Sequence, residues 1–382
     1  MVARTFYVGK IAVIGTTADS IINFRGDLIR ALVALGWNVY AFAIDYSEKD
    51  KNLVKGMGAK PIDYSLSRVG LNPFRDIVDT LRMVKLFRDI RPDLVFSYFA
   101  KPVVFASVAA RIAKVPRRIA MLEGLGSSFT ERPRSTKIRL KFIRRVQVAL
   151  YRISFPLLDR VIFLNSDDAE ELIVRNKIKV KSYSVLGGIG LDLACYPYSQ
   201  PLMTPVTFIF IGRLLIEKGV KEYMAACRGL KEDFPDVQCV LLGGLDVNSP
   251  RSIYSEIEEL NSAGVIVYPG HVEDVSVWLA NSSVFVLPSY REGFPRSTQE
   301  AMAVGRPVIT TAVPGCKDTV LDGVNGFLVP PWSSDELLEK MRYFVENPLM
   351  IQKMGEESFK IAHRSFDSRK VNEKLINLLL EE

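Results

Sequence analysis

KIAVIGTTADSIINFRGDLIRALVALGWNVYAFAID, residues 10–45, reads as strand, helix, strand. KIAVIG is a short apolar run, FRGDLIRALVALG carries apolar residues at helical spacing and stops at Gly36, and NVYAFAID returns to strand character. The unit recurs in DLVFSYF (93–99) with KPVVFASVAARIAK behind it, in RRIAML (117–122) before a Gly-rich loop, and in DRVIFLN (159–165) before SDDAEELIVRN. Near-continuous apolar strands alternating with helices predict a parallel sheet covered on both faces. The rhythm breaks at GGIGLDLACYPYSQPLMTP (187–205), which reads as a linker. A second series then starts with TFIFIGRL and runs through VQCVLLGG, VIVYPG, VFVLPS, PVITT and GFLVP. The 382 residues therefore predict an α/β protein of two successive units of similar size. Open sheets of this kind bind ligands outside the carboxyl ends of their strands, so two facing sheets would create a cleft.

Composition removes several function classes. Apolar residues make up 48% and charged ones 24%, a globular balance, and the longest apolar runs are strand-length, short of the roughly 18 residues of a spanning helix. No cleavage site follows the first strand, so export is not expected. Cys195, Cys227, Cys239 and Cys316 form no CxxC, and the only histidines are His271 and His363, so neither disulfides nor a metal site is signalled; a reducing cytoplasm fits.

The net charge of +7 conceals an asymmetry. Residues 1–190 hold 32 Lys and Arg against 17 Asp and Glu, a net of +15, and the remainder is −8. The excess peaks in RPRSTKIRLKFIRRVQVALYRISFPLLDR, 132–160, with nine basic residues and one acid among aliphatics. An anionic lipid surface attracts such a pattern, and a solvated helix face is the plainer reading. Nucleic acid is not expected, because no nucleic-acid-binding signature accompanies the charge.

The chemistry concentrates in the second half. Gly212 and Arg213 leave the strand TFIFIG, and Lys218 follows in GRLLIEKG, two cations suited to a diphosphate. The repeated Gly of VQCVLLGG, Gly243 among them, and GHVEDV (270–275) with His271 and Val272 end further strands, the latter in a turn whose backbone can pair with a base edge. In YREGFPRSTQEAMAVGRPVI (290–309), Glu292 stands in a loop, Gly293, Phe294 and Pro295 lead into a helix, and Glu300 sits in its first turns. Helix N–H groups there favour a phosphate, and carboxylates beside a phosphate are tolerated where they accept from sugar hydroxyls.

The combination GRLLIEKG, EGFPRSTQEAMAVGRPVI with its E-x7-E spacing, PG and NGFLVPP closely resembles the retaining nucleotide-sugar glycosyltransferases of family 4, over essentially the whole chain. The resemblance implies the GT-B fold, with an acceptor-binding domain over 1–188, a linker over 189–205, a donor-binding domain over 206–360, and a C-terminal helix over 361–382 packing back on the first domain. It implies that Arg213 and Lys218 bind the donor diphosphate without a metal, that Glu292 contacts the donor sugar, and that Glu300 holds the ribose. SYFAKP resembles a bacterial surface-polysaccharide subgroup, in which Lys101 would stand where many members carry a histidine; a solvent-exposed helix-start lysine is the alternative. In that subgroup the loop after the first strand, with Asn23, Arg25 and Gly26, and the loop EGLGSSF, with Glu123, Gly124 and Gly126, border the acceptor. Arg25 reads equally as a surface ion pair and GLG as a tight turn.

The resulting expectation is metal-free, retaining transfer of a hexose or N-acetylhexosamine from a nucleotide-sugar, UDP-linked by the resemblance, to a polyprenyl-diphosphate-linked saccharide for a bacterial envelope glycan. The enzyme would be cytoplasmic and peripheral on the inner membrane face. The competing readings are a nucleotide-sugar 2-epimerase and a non-catalytic assembly partner. A dehydrogenase is disfavoured because GKIAVIGTTADS lacks G-x-G-x-x-G.

Overall fold

A computed structural model describes residues 9–67, 72–130, 138–244 and 251–381. Seven strands, β1 (Lys10–Ile14), β2 (Asn38–Ala43), β3 (Lys60–Asp63), β4 (Leu94–Tyr98), β5 (Arg117–Leu122), β6 (Arg160–Phe163) and β7 (Tyr183–Val185), form one sheet. Their order is β3-β2-β1-β4-β5-β6-β7 and every pair is parallel, with Ile11 opposite Leu94 and Val13 opposite Phe96. Ile11–Ile14 and Leu94–Tyr98 are buried throughout, which requires helices on both faces. The interleaved helices are α1 (Ala18–Ala34), α2 (Glu48–Gly56), α3 (Pro73–Ile90), α4 (Ala100–Ile112), α5 (Ile138–Ser154) and the short α6 (Ser166–Ala169). Right-handed crossovers put α1 and α2 on one face, because the chain there steps outward from β1 to β3. They put α3, α4 and α5 on the other, where α4 packs against both neighbours.

Six strands, β8 (Thr207–Ile211), β9 (Gln238–Leu242), β10 (Val267–Gly270), β11 (Val284–Leu287), β12 (Val308–Thr311) and β13 (Gly326–Val329), form a second parallel sheet in the order β10-β9-β8-β11-β12-β13. Its helices are α7 (Val220–Asp233), α8 (Arg251–Ser262), α9 (Val275–Ala280), α10 (Arg296–Ala303), α11 (Ser334–Glu346) and α12 (Pro348–Ser365). The last helix is α13 (Ser368–Leu380). The chain divides into one unit of 1–187 with Asn372–Glu382 and another of Gly188–Val371.

All strands expected from apolar runs are present, and the two that were not expected, β3 and β7, lie at the edges of the first sheet. KPID carries a proline and YSV is three residues long, so neither has the apolar run of a central strand. Asn23, Arg25 and Gly26 do not sit in a loop: α1 starts at Ala18, where the Thr17 hydroxyl accepts from the Ser20 N–H, and includes all three. Residues 189–205 run along the second unit. There Leu191 donates to the Phe366 carbonyl, and the buried Arg306 guanidinium donates to the Ser199, Leu279 and Ala280 carbonyls.

Candidate functional site

In the second sheet the strand order reverses between β8 and β11, the place where an open sheet leaves a crevice at its carboxyl edge. Gly212 and Arg213 leave β8 there, Arg213 exposed, and one 3-10 turn, Ile216–Lys218, leads to α7. Gly219 joins the two at φ 74°, and a Cβ on it would lie 2.1 Å from the Pro288 carbonyl oxygen, so only glycine lets the turn approach the end of β11. That approach carries Lys218 to the loop after β11. Its ammonium is 2.5 Å from Glu292 Oε1, which also accepts from the Ser289 hydroxyl at 2.7 Å.

The same loop is fixed from both sides. Tyr290 N–H donates to the Glu217 carbonyl at 2.9 Å, and Glu292 N–H to the Pro314 carbonyl at 3.1 Å. Gly315, at φ 79°, lies so close that a Cβ there would be 2.4 Å from the Glu292 carbonyl oxygen, which explains the Pro-Gly pair at 314–315. Behind it burial, helped by the Glu292 carboxylate, pushes the Cys316 thiol up to about 12, so it stays protonated and inert.

Gly293 and Pro295 are buried and Phe294 half-buried where they enter α10, whose start no side chain caps. The start of the helix carries the positive end of its dipole. Glu300 is buried on this helix, and its Oε1 accepts from the Tyr196 hydroxyl and from Arg296 Nε, each at 2.9 Å. Both donors fall on one oxygen; among the described residues none donates to Oε2. Burial first, and then the Glu300 carboxylate, hold the Tyr196 phenol far above its ordinary range, so it remains a donor.

Gly243, at φ 149°, seats β9 against β8: a Cβ would lie 1.8 Å from the Gly212 carbonyl oxygen. His271, exposed, and Val272, half-buried, follow β10. The structure thus joins Lys218 to Glu292 and Gly212 to Gly243. It also adds Ser289, Tyr196 and Arg296, which sequence reading passed over. Arg296 was discoverable as the residue one helical turn before Glu300; Tyr196 lies 104 positions away and had no local signal.

The first unit holds its candidates differently. Arg25 is buried and paired with Glu123, its NH1 donates to the Phe24 carbonyl at 3.0 Å, and its guanidinium carbon sits 4.7 Å above the Tyr98 ring. The surface ion pair is therefore corrected to a buried one, and it ties α1 to the loop in which Gly124 and Gly126 take φ values of 126° and 77°. Burial lifts the Glu123 carboxyl above the usual range, and Arg25 pulls it only part of the way back. Asn23, exposed, donates to Asp19 at 2.5 Å, and Gly26 packs toward Met57. Lys101 is not the solvent-exposed alternative either: its ammonium is 3.0 Å from Asp76 Oδ1 and 2.6 Å from the Ser67 hydroxyl.

Two family descriptions match the chain: Glycosyl transferases group 1 over residues 199–361 and Glycosyl transferase 4-like over residues 10–165. The chain is 30% identical over 355 residues to the N,N'-diacetylbacillosaminyl-diphospho-undecaprenol alpha-1,3-N-acetylgalactosaminyltransferase of Campylobacter jejuni, covering 88% of this chain and 90% of that one. It is 24% identical to the UDP-Gal:alpha-D-GlcNAc-diphosphoundecaprenol alpha-1,3-galactosyltransferase of Escherichia coli, over 67% of each chain. Its fold is that of Anabaena Alr3699/HepE, solved in complex with UDP and glucose, with a TM-score of 0.76 at 18% identity over 97% of this chain and 99% of the other. With its two parallel sheets and these matches, the chain belongs to the group 1, family 4-like glycosyltransferases of the GT-B fold.

Proposed function

We propose that this glycosyltransferase moves a hexose or N-acetylhexosamine from a UDP-sugar, with retention, onto a polyprenyl-diphosphate-linked saccharide of a bacterial envelope glycan. The observation that carries the reading is the Lys218–Glu292 pair at the switch point of the second sheet, one loop before the uncapped start of α10. A donor diphosphate would take the cations Arg213 and Lys218 and the N–H groups of α10, releasing Glu292 to accept from sugar hydroxyls. Glu300 Oε2 is the oxygen left for ribose hydroxyls, while Tyr196 and Arg296 hold Oε1. Gly293, Phe294 and Pro295 supply the backbone beside sugar and phosphate. Gly212 and Gly243 keep side chains away from the β8 edge, and His271 and Val272 offer backbone to the base.

As the glycosidic bond to the diphosphate breaks, the departing phosphate oxygen takes the acceptor hydroxyl's proton on the same face, and Arg213 and Lys218 stabilise its charge without a metal. Glu292 positions the sugar and is not the base. A polyprenyl acceptor of the kind named in the relatives supports action at a membrane surface, on its cytoplasmic side. The acid-free helix α5 provides cations for an anionic leaflet, although the first residues of the basic stretch, 132–137, lie outside the described residues. Among the described residues no helix is long and apolar enough to cross a membrane.

Thermal unfolding with UDP, GDP, ADP and their sugars tests the donor, because a ligand of the native state raises the midpoint. A selective rise with UDP-sugars, much reduced in Glu300→Ala, is expected. No rise with any nucleotide would remove the transferase reading of this site and favour a non-catalytic assembly partner. Conversion of the donor sugar without an acceptor would favour the epimerase.

A further inference from the structure

The helix α3 exposes the wrong face for a helix surrounded by water. Phe74, Ile77, Val78 and Leu81 are 81, 56, 46 and 58% exposed, and their i, i+3, i+4, i+7 spacing makes them one continuous stripe. The helix is nevertheless correctly seated, because Met83, Val84 and Phe87 are buried on its opposite side. Two of its three acids, Asp76 and Asp79, are turned inward, and the third, Asp89 near its end, is exposed. Asp76 is buried against Lys101 and Ser67, and Asp79 against Ser65, with Arg82 3.3 Å away. The outward face carries apolar side chains flanked by the exposed Arg75, Arg82, Lys85 and Arg88, four cations against the single exposed acid Asp89.

On the same side of the sheet, beyond α4, α5 repeats the arrangement. Ile138, Phe142 and Ile153 are exposed among the exposed Arg139, Lys141 and Arg145, and the helix contains no acid. Isolated exposed apolar residues are ordinary, whereas two parallel stripes of this composition on one layer are not.

We propose that the stripe of α3 inserts its apolar side chains into the headgroup region of an anionic bilayer, with the cations of α3 and α5 pairing with lipid phosphates. An amphipathic helix with a basic margin lies in an interface in this way. A second copy of the chain fits less well, since two surfaces from a region of net charge +15 would repel. The proposal rests on the membrane-linked acceptor reading for its purpose, but its test needs neither donor nor acceptor.

The test is flotation of the full-length protein with phosphatidylglycerol–phosphatidylcholine vesicles and with pure phosphatidylcholine vesicles, wild type against Phe74→Ser/Leu81→Ser. We expect selective binding to the anionic vesicles and a loss of about tenfold in the variant. The UDP-induced thermal shift of the variant should be unchanged, which shows that it is folded. In Phe74→Trp, the indole emission should move to the blue on adding anionic vesicles and be quenched by brominated lipid. Equal flotation of wild type and variant, or an indole that stays at its aqueous emission, would overturn the proposal. So would a wild-type dimer in sedimentation that the double variant splits. Absence of any nucleotide shift in either protein would count against the transferase reading and leave the bilayer surface standing.

Discussion

The two units are built on the same parallel α/β plan and keep their charged pairs in opposite ways. In the first, Arg25 and Glu123 are 1 and 10% exposed, and Arg25 also lies over Tyr98. In the second, Lys218 and Glu292 are 23 and 12% exposed, at the open edge where β8 and β11 separate. A buried pair has already lost its water and cannot surrender a partner without leaving a bare charge. A pair at the edge can exchange its partner for a phosphate or a hydroxyl at small cost. A cation–glutamate couple therefore acts as a clamp in one unit and as a poised ligand site in the other, and the difference lies in the cation, a guanidinium 1% exposed against an ammonium 23% exposed.

The sharpest way to break this comparison is stability. Arg25→Met strands Glu123 in the interior, and a loss of about 3–5 kcal/mol is expected in urea unfolding, largely recovered when Glu123→Gln is added. Lys218→Ala should cost about 1 kcal/mol or less by the same measurement. Equal losses would erase the distinction. Turnover should reverse the ranking: Lys218→Ala and Arg213→Ala are each expected to slow transfer at saturating donor by about 10²–10³-fold, as removal of a leaving-group stabiliser does.

A smaller effect separates the two oxygens of Glu300. Tyr196→Phe removes one donor to Oε1 and should raise the donor KM by about three- to tenfold with kcat unchanged. A fall in kcat alone would place Tyr196 in the chemical step instead. The smallest effect is on pH dependence. Because burial raises the folded-state pKa of Glu123, the folded protein keeps that proton when the unfolded chain has released it. Its contribution to stability is therefore full below the ordinary glutamate range and is lost as pH rises through the raised value. Urea midpoints of Glu123→Gln should be flatter over that window than those of the wild type.

Much of this was legible in the chain itself. The central strands announce themselves as apolar runs, since a strand covered on both faces has no polar side to alternate with. The E-x7-E spacing places Glu292 before α10 and Glu300 inside it without any long-range information. Edge strands were not legible, and neither was the start of α1, where six residues of mixed polarity, Ala18 to Asn23, precede the strongly periodic part of the helix.

What the sequence determined by itself is periodic and local: the alternation of strands and helices, the charge asymmetry and the motif spacing. Tertiary structure alone decided the pairings and the exposures. Glu292 meets a lysine 74 positions away, Glu300 a tyrosine 104 positions away, and Arg25 a glutamate 98 positions away. The helix α3 shows this most plainly. It is apolar on both sides, so its pattern cannot say whether Met83, Val84 and Phe87 or Phe74, Ile77 and Leu81 turn inward. Only packing against α4 settles the choice, because burial depends on the neighbours a side chain meets and local periodicity contains none of them.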